Sequence, residues 1–164
     1  MGMNARWVKG ERFERNARFR VAAPAAKVFP LLCPVREYEW IPDWRCVMIY
    51  SESGVAEKDA LFTTVEKPFG KMLWTCVEYD PPSRIDYLLT LGSKVSIRLE
   101  LALSGEGGAC ELSWTMRFTV ASRLLAALLR RRMSERAFAK MVGDRERQLA
   151  EYFSSGGGSA LTGR

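Results

Sequence analysis

Three consecutive segments of this chain alternate apolar and polar residues, with Leu88 and Ala102 as the exceptions on the polar side, and nothing else in it constrains the fold as tightly. Ile85, Tyr87, Leu89 and Leu91, then Val95, Ile97, Leu99, Leu101 and Leu103, then Leu112, Trp114, Met116 and Phe118 each share a face. Opposite them stand Arg84 and Asp86, then Lys94, Ser96, Arg98 and Glu100, then Glu111, Ser113, Thr115 and Arg117. Side chains of a strand point alternately to its two faces, so the pattern describes a sheet with one covered face and one wet face. Only Gly92-Ser93 and SGEGG (104–108) separate the segments. Connections that short join antiparallel neighbours.

The same logic predicts strands over 13–21, 45–52, 60–67 and 71–79 besides 84–91, 95–103 and 110–120. Their breaks are SGVAEKD (53–59), Pro68-Phe69-Gly70 and Asp80-Pro81-Pro82-Ser83. In the first strand Phe13, Ala17, Phe19 and Val21 form the apolar side and Arg15 interrupts it. AAKVFPLL (25–32) reads as a short helix that Pro30 must bend or end, and PVREYEWIPDW (34–44) as a second short helix or tight loop. Prolines 30, 34 and 42 make this pair a plug or lid rather than a bundle element.

At about 100° per residue, Leu124, Leu128, Phe138, Val142, Leu149 and Phe153 fall within about 40° of one direction, the sheet-facing stripe of a long C-terminal helix. Leu125, Leu129 and Met133 leave that stripe. Either the helix breaks near Ser134, a suitable new N-cap, or it carries a second apolar ridge. The expectation is one domain over 1–153 and a flexible tail, SSGGGSALTGR, over 154–164.

Composition removes several chemistries. The chain has no histidine, which excludes Ser-His-Asp and Cys-His nucleophiles and His-ligated metals. Cysteines 33, 46, 76 and 110 match no metal-ligand spacing and read as buried free thiols of a cytoplasmic protein. We expect no cofactor and no metal. SGEGG lacks a following Lys-Ser or Lys-Thr and is a hairpin turn, not a phosphate loop. The net charge is +6, and the apolar run Leu124–Leu129 is far shorter than the roughly 20 residues of a membrane span. Arg130, Arg131, Arg132 and Arg136 flank Leu125, Leu129 and Met133. Beyond a solvated helix end, that cluster suits peripheral contact with an anionic membrane through Arg130, Arg131 and Arg132. No aromatic residues interleave the arginines to stack bases, so no nucleic-acid partner is expected.

A sheet curled around one helix meets it along a line, and the remaining space is either filled by large side chains or left hollow. FRVAAPAAKVFPLL (19–32), EYDPPSRIDYLLT (78–90) and ELSWTMRFT (111–119) resemble the START-like (SRPBCC) superfamily. That group holds pollen-allergen-like proteins, polyketide cyclases and aromatases, coenzyme Q-binding proteins and lipid-transfer domains. The resemblance covers residues 13–153 and implies an α+β helix-grip fold. In that fold a seven-stranded antiparallel sheet curls around a long C-terminal helix, with two short helices after the first strand. It also implies an apolar pocket between sheet and helix, reached past the short helices.

On that basis the expected pocket residues are Trp74, Tyr87, Leu89, Ile97, Leu99, Trp114 and Met116 from the covered face, with Phe138 and Val142 from the helix. Trp40 and Trp44 flank Pro42 in the lid, where they plug it or gate a ligand; Tyr50 and Tyr87 supply polar tips. Glu66 and Glu78, on neighbouring strands, could face each other as an acid–base pair, although solvated hairpin charges beside Lys67 and Lys71 are the simpler account. Asp43 is a weaker candidate. The leading expectation is binding or transport of a lipid, polyketide or isoprenoid. The alternatives are a cyclase- or aromatase-like enzyme using a buried Glu, Asp or Tyr, and a partner-binding domain whose pocket its own aromatics fill.

Overall fold

The computed structural model describes residues 8–66 and 70–157. Strand β1 (Glu11–Val21) leads into a four-residue helix α1 (Ala25–Val28), a 3-10 turn (Phe29–Leu32) and a second 3-10 turn (Glu37–Glu39). Six strands follow: β2 (Cys46–Tyr50), β3 (Leu61–Glu66), β4 (Gly70–Asp80), β5 (Arg84–Leu91), β6 (Val95–Ser104) and β7 (Cys110–Val120). Two helices, α2 (Arg123–Arg132) and α3 (Glu135–Ser154), close the chain. The sheet order is β1-β7-β6-β5-β4-β3-β2, with every pair antiparallel. This is the helix-grip α+β fold. The short-helix region is tighter than a pair of helices, because Pro30 lacks an N–H and the chain continues past Val28 with 3-10 bonding.

The alternating segments sit in register, with Tyr87 opposite Leu99 and Leu99 opposite Met116, so each covered-face row runs across β5, β6 and β7. Phe13 lies opposite Phe118, their rings stacked at 4.5 Å. The other face is less wet than the alternation suggests. Asp86 is completely buried there, accepting from Arg84 at 2.9 Å through both oxygens and from Arg98 at 2.7 Å. Glu100, Arg117 and Glu14 continue the charge ladder towards β1. A buried carboxylate is tolerated when charged donors satisfy it in this way.

The C-terminal helix does break at Ser134. That residue is extended (ψ 159°), and its hydroxyl accepts from the Ala137 N–H at 3.3 Å to cap α3. Arg15, the charged interruption in β1, donates to the Met133 carbonyl at 2.8 Å and so satisfies the end of α2. The break corrects the expected stripe. Phe138, Val142 and Leu149 are buried, but Leu124 is 86% and Leu128 50% exposed. An extended residue resets the helical phase, so a 100° projection does not carry from α3 back into α2. In α2 the inward residues are Ala126 and Leu129, with Leu125 and Met133 packed beside them. The ridge expected to face outward therefore faces the core. Of the expected tail, Ser154 ends α3 and 155–157 form a turn; residues 158–164 lie outside the described residues.

Candidate functional site

A cavity of about 170 Å³ lies between the middle of the sheet and the two C-terminal helices. Among the expected pocket residues, Trp44, Trp74, Leu89, Ile97 and Met116 line it. They are joined by Met72, Leu91, Val95 and Phe118 from the sheet and by Leu129 and Met133 from α2. The inward face of α2, moved there by the break at Ser134, thus becomes cavity wall.

The remaining expected residues lie elsewhere. Trp40 is buried, its indole donating to the Leu31 carbonyl at 2.8 Å, which ties the lid to the turn before it. Leu99, Phe138 and Val142 are buried among the core side chains. Trp114 is buried too, and among the described residues its Nε1 is the buried side-chain polar atom without a hydrogen-bond partner. Tyr50 is 53% exposed on β2, with its hydroxyl on Glu52 at 3.0 Å. Asp43 is exposed, at a positive φ of 59°.

The aromatic wall is locked in place. Trp74 stacks on Phe62 at 5.3 Å and meets Trp44 and Tyr87 edge-on at 6.3 and 5.9 Å. Its indole donates to Thr64 Oγ1 at 2.9 Å, and that of Trp44 donates to the Pro34 carbonyl at 2.8 Å. The Tyr87 hydroxyl donates to the Leu32 carbonyl at 2.9 Å. Burial, with Glu37 adding to it, raises that phenol well above its ordinary value. The polar tip expected of Tyr87 is therefore committed to the 3-10 turn.

Two charged side chains remain on the wall, Glu66 at the end of β3 and Arg145 on α3. Arg145 donates to Gln148 at 2.8 Å, while Glu37 and Glu66 act on it through space. Burial lowers Arg145 and the two carboxylates oppose that shift. Glu37, in the lid turn, is pushed up to about 8 by burial, with Arg145 pulling it down and Glu66 pushing it up. The neighbouring residues clasp the lid to α3: Arg36 donates to Glu39 at 2.6 and 2.8 Å, and the Tyr152 hydroxyl donates to Glu39 at 2.7 Å.

The expected pairing of Glu66 with Glu78 does not form. Glu66 stands opposite Gly70 at the hairpin end, whereas Glu78 lies opposite Asp86 at the far end of β4. Opposite residues of an antiparallel pair lie equally far from their turn, so one beside the turn cannot face one at the far end; Lys67 lies outside the described residues. Arg145 was legible and missed, since it is three residues after Val142 and four before Leu149, a charge beside the buried stripe. Glu37 carried no such signal, because only the fold brings the lid turn to α3.

The four cysteines are free, and burial pushes Cys76 up to about 12, which makes it a poor nucleophile. Among the described residues no group of three or more His, Cys, Asp or Glu side chains could hold a metal ion. No described helix is long and apolar enough to cross a membrane.

A family model described as polyketide cyclase / dehydrase and lipid transport matches residues 12–154. No curated protein matches the chain. Among solved structures, truncated norcoclaurine synthase from Thalictrum flavum is similar at a TM-score of 0.68 and 13% identity, over 90% of this chain and 99% of that one. CalU16 from Micromonospora echinospora is similar at 0.54 and 14%, over 90% of each chain. DynU16, from the dynemicin biosynthetic locus, is similar at 0.56 and 18%, over 87% of this chain and 48% of that one. At such identities these likenesses establish the fold.

Proposed function

Because the chain belongs to the polyketide cyclase / dehydrase and lipid transport family, we propose that it binds a hydrophobic small molecule non-covalently in the cavity between sheet and helices. The supporting observation is a space of about 170 Å³ whose wall is aromatic and aliphatic except for Glu66 and Arg145. In T4 lysozyme an engineered apolar cavity of about 150 Å³ stays dry and takes benzene. The space here suits one or two rings, a short isoprenoid or a small polyketide, and a longer chain requires the lid to open. A partner-binding domain filled by its own aromatics has less behind it, because this space is left over after the aromatics have packed.

The test is native mass spectrometry of freshly purified protein, followed by titration calorimetry with naphthalene. The expected results are a co-purified small molecule or saturable one-to-one naphthalene binding. Met116→Trp, which fills the cavity, should abolish either. Absence of both from the parent protein overturns the proposal.

A catalytic version, cyclase- or aromatase-like, has one observation of its own. A carboxyl held up at about 8 keeps its proton at neutral pH, as a general acid must, and Glu37, coupled through space to the wall residues Arg145 and Glu66, is such a group. Solvent-deuterium exchange into a small β-diketone, lost in Glu37→Gln with naphthalene binding retained, would favour it over simple binding.

Peripheral contact with an anionic membrane belongs to the same proposal, with its apolar half on Leu124 and Leu128 instead of Leu125, Leu129 and Met133. Arg130 is engaged by Glu11 at 3.1 Å and stands over the Phe13 ring, whereas Arg131 and Arg132 are exposed. The exposed apolar pair on α2 is Leu124 and Leu128, which with Lys94 line a shallow surface groove. Apolar side chains bordered by cations are what an anionic bilayer surface attracts.

A further inference from the structure

We infer that the cavity selects a neutral ligand of one or two rings that carries a hydroxyl group, and that Arg145 and Glu66 read this hydroxyl together. The inference rests on the proposal that the cavity binds a small apolar molecule, and it adds the chemistry of the head group.

The two charged side chains reach the cavity from opposite elements, Arg145 from α3 and Glu66 from the end of β3. The polar tips of the aromatic wall described above are already committed. Trp44 and Trp74 donate to Pro34 and Thr64, and Tyr87 donates to Leu32. A guanidinium has donors only, and an ionised carboxylate has acceptors only. Arg145 uses one donor on Gln148, which leaves others free.

A hydroxyl both accepts and donates, so one such group satisfies both walls at once. A hydrocarbon would cover both charged groups without replacing the water that it displaces. A carboxylate head would meet Arg145 but be repelled by Glu66; an ammonium head would meet Glu66 but be repelled by Arg145. The wall therefore balances one cation against one anion. Burial pushes the Glu37 carboxyl up, which reduces its weight in that balance at neutral pH. The size limit comes from the cavity itself, at about 170 Å³.

The test is calorimetric titration of the full-length protein with four probes that share one ring system: naphthalene, 2-naphthol, 2-naphthoate and 2-naphthylmethylammonium. In the parent, 2-naphthol should bind at least tenfold more tightly than each of the other three. Glu66→Gln leaves Arg145 unopposed and should bring 2-naphthoate binding up at least tenfold. Arg145→Gln should do the same for the ammonium probe. Naphthalene binding as tightly as 2-naphthol in the parent overturns the inference while the cavity proposal stands, and that ranking needs no variant. A 2-naphthol preference that survives both substitutions unchanged also overturns it. If none of the four probes binds the parent, the inference fails, and the cavity proposal fails with it where no small molecule co-purifies either.

Discussion

Leu129→Ala and Leu128→Ala, made separately, test the phase of α2, on which the cavity wall and the membrane surface both depend. Leu129 is 3% exposed and lines the cavity, whereas Leu128 is 50% exposed. Shortening leucine to alanine removes three carbons, about 2.4 kcal/mol of transfer free energy at about 0.8 kcal/mol each. A small cavity contribution brings the loss at Leu129 to about 3 kcal/mol, in the lower half of the range for core leucines because one side of the residue already faces empty space. At about 2–4 °C per kcal/mol for a chain of this size, the melting temperature should drop by roughly 6–12 °C. At Leu128 the lost burial is at most about half as large, and alanine's helix propensity offsets part of it, so the loss should stay below about 1 kcal/mol. Circular-dichroism melts, with urea titrations to check that the m-value is unchanged, separate these outcomes. Losses of equal size, or a larger loss at Leu128, would mean that one straight helix presents the 124–153 stripe to the sheet, and would refute the break at Ser134.

Burial raises the Glu37 carboxyl from 4.5 to about 8, so between these values the folded protein holds a proton that the unfolded chain has released. Stability should therefore fall as pH rises through that window and level off above it, and Glu37→Gln should flatten the fall in the urea midpoint; a parent with no slope there would place Glu37 in solvent. In flotation assays the protein should bind vesicles rich in anionic lipid, less so at high salt or in a Leu124→Ser/Leu128→Ser variant, and not bind neutral vesicles. Equal absence from both vesicle types would remove the membrane contact from the proposal.

How much of this was legible in the sequence depends on the range over which each feature is decided. Strand positions are local: period-two alternation at 84–120 and turn residues such as Gly92-Ser93 specify both the elements and which face is covered. The N-cap at Ser134 is local too, since a serine hydroxyl needs only the N–H groups just ahead of it. Trp44, Trp74, Leu89, Ile97 and Met116 were expected at the pocket and line the cavity, because four of them follow from strand parity.

The orientation of α2 is not local. A single extended residue breaks the helix, and Leu129 instead of Leu128 meets the core where Arg15 of β1, 118 residues away in sequence, holds the Met133 carbonyl. The polar end of the cavity has the same character. Glu37, Glu66 and Arg145 lie on a lid turn, a strand end and a helix, and their mutual influence arises only when the sheet curls over α3. The sheet and its covered face were thus readable from periodicity and turn chemistry, while the family of folds was readable from the resemblance of three segments to the START-like superfamily. Only the tertiary structure decided which apolar ridge became wall, how much space was left unfilled and which charges border it. Those outcomes come from packing between elements distant in the chain, where no repeat in the sequence carries the information.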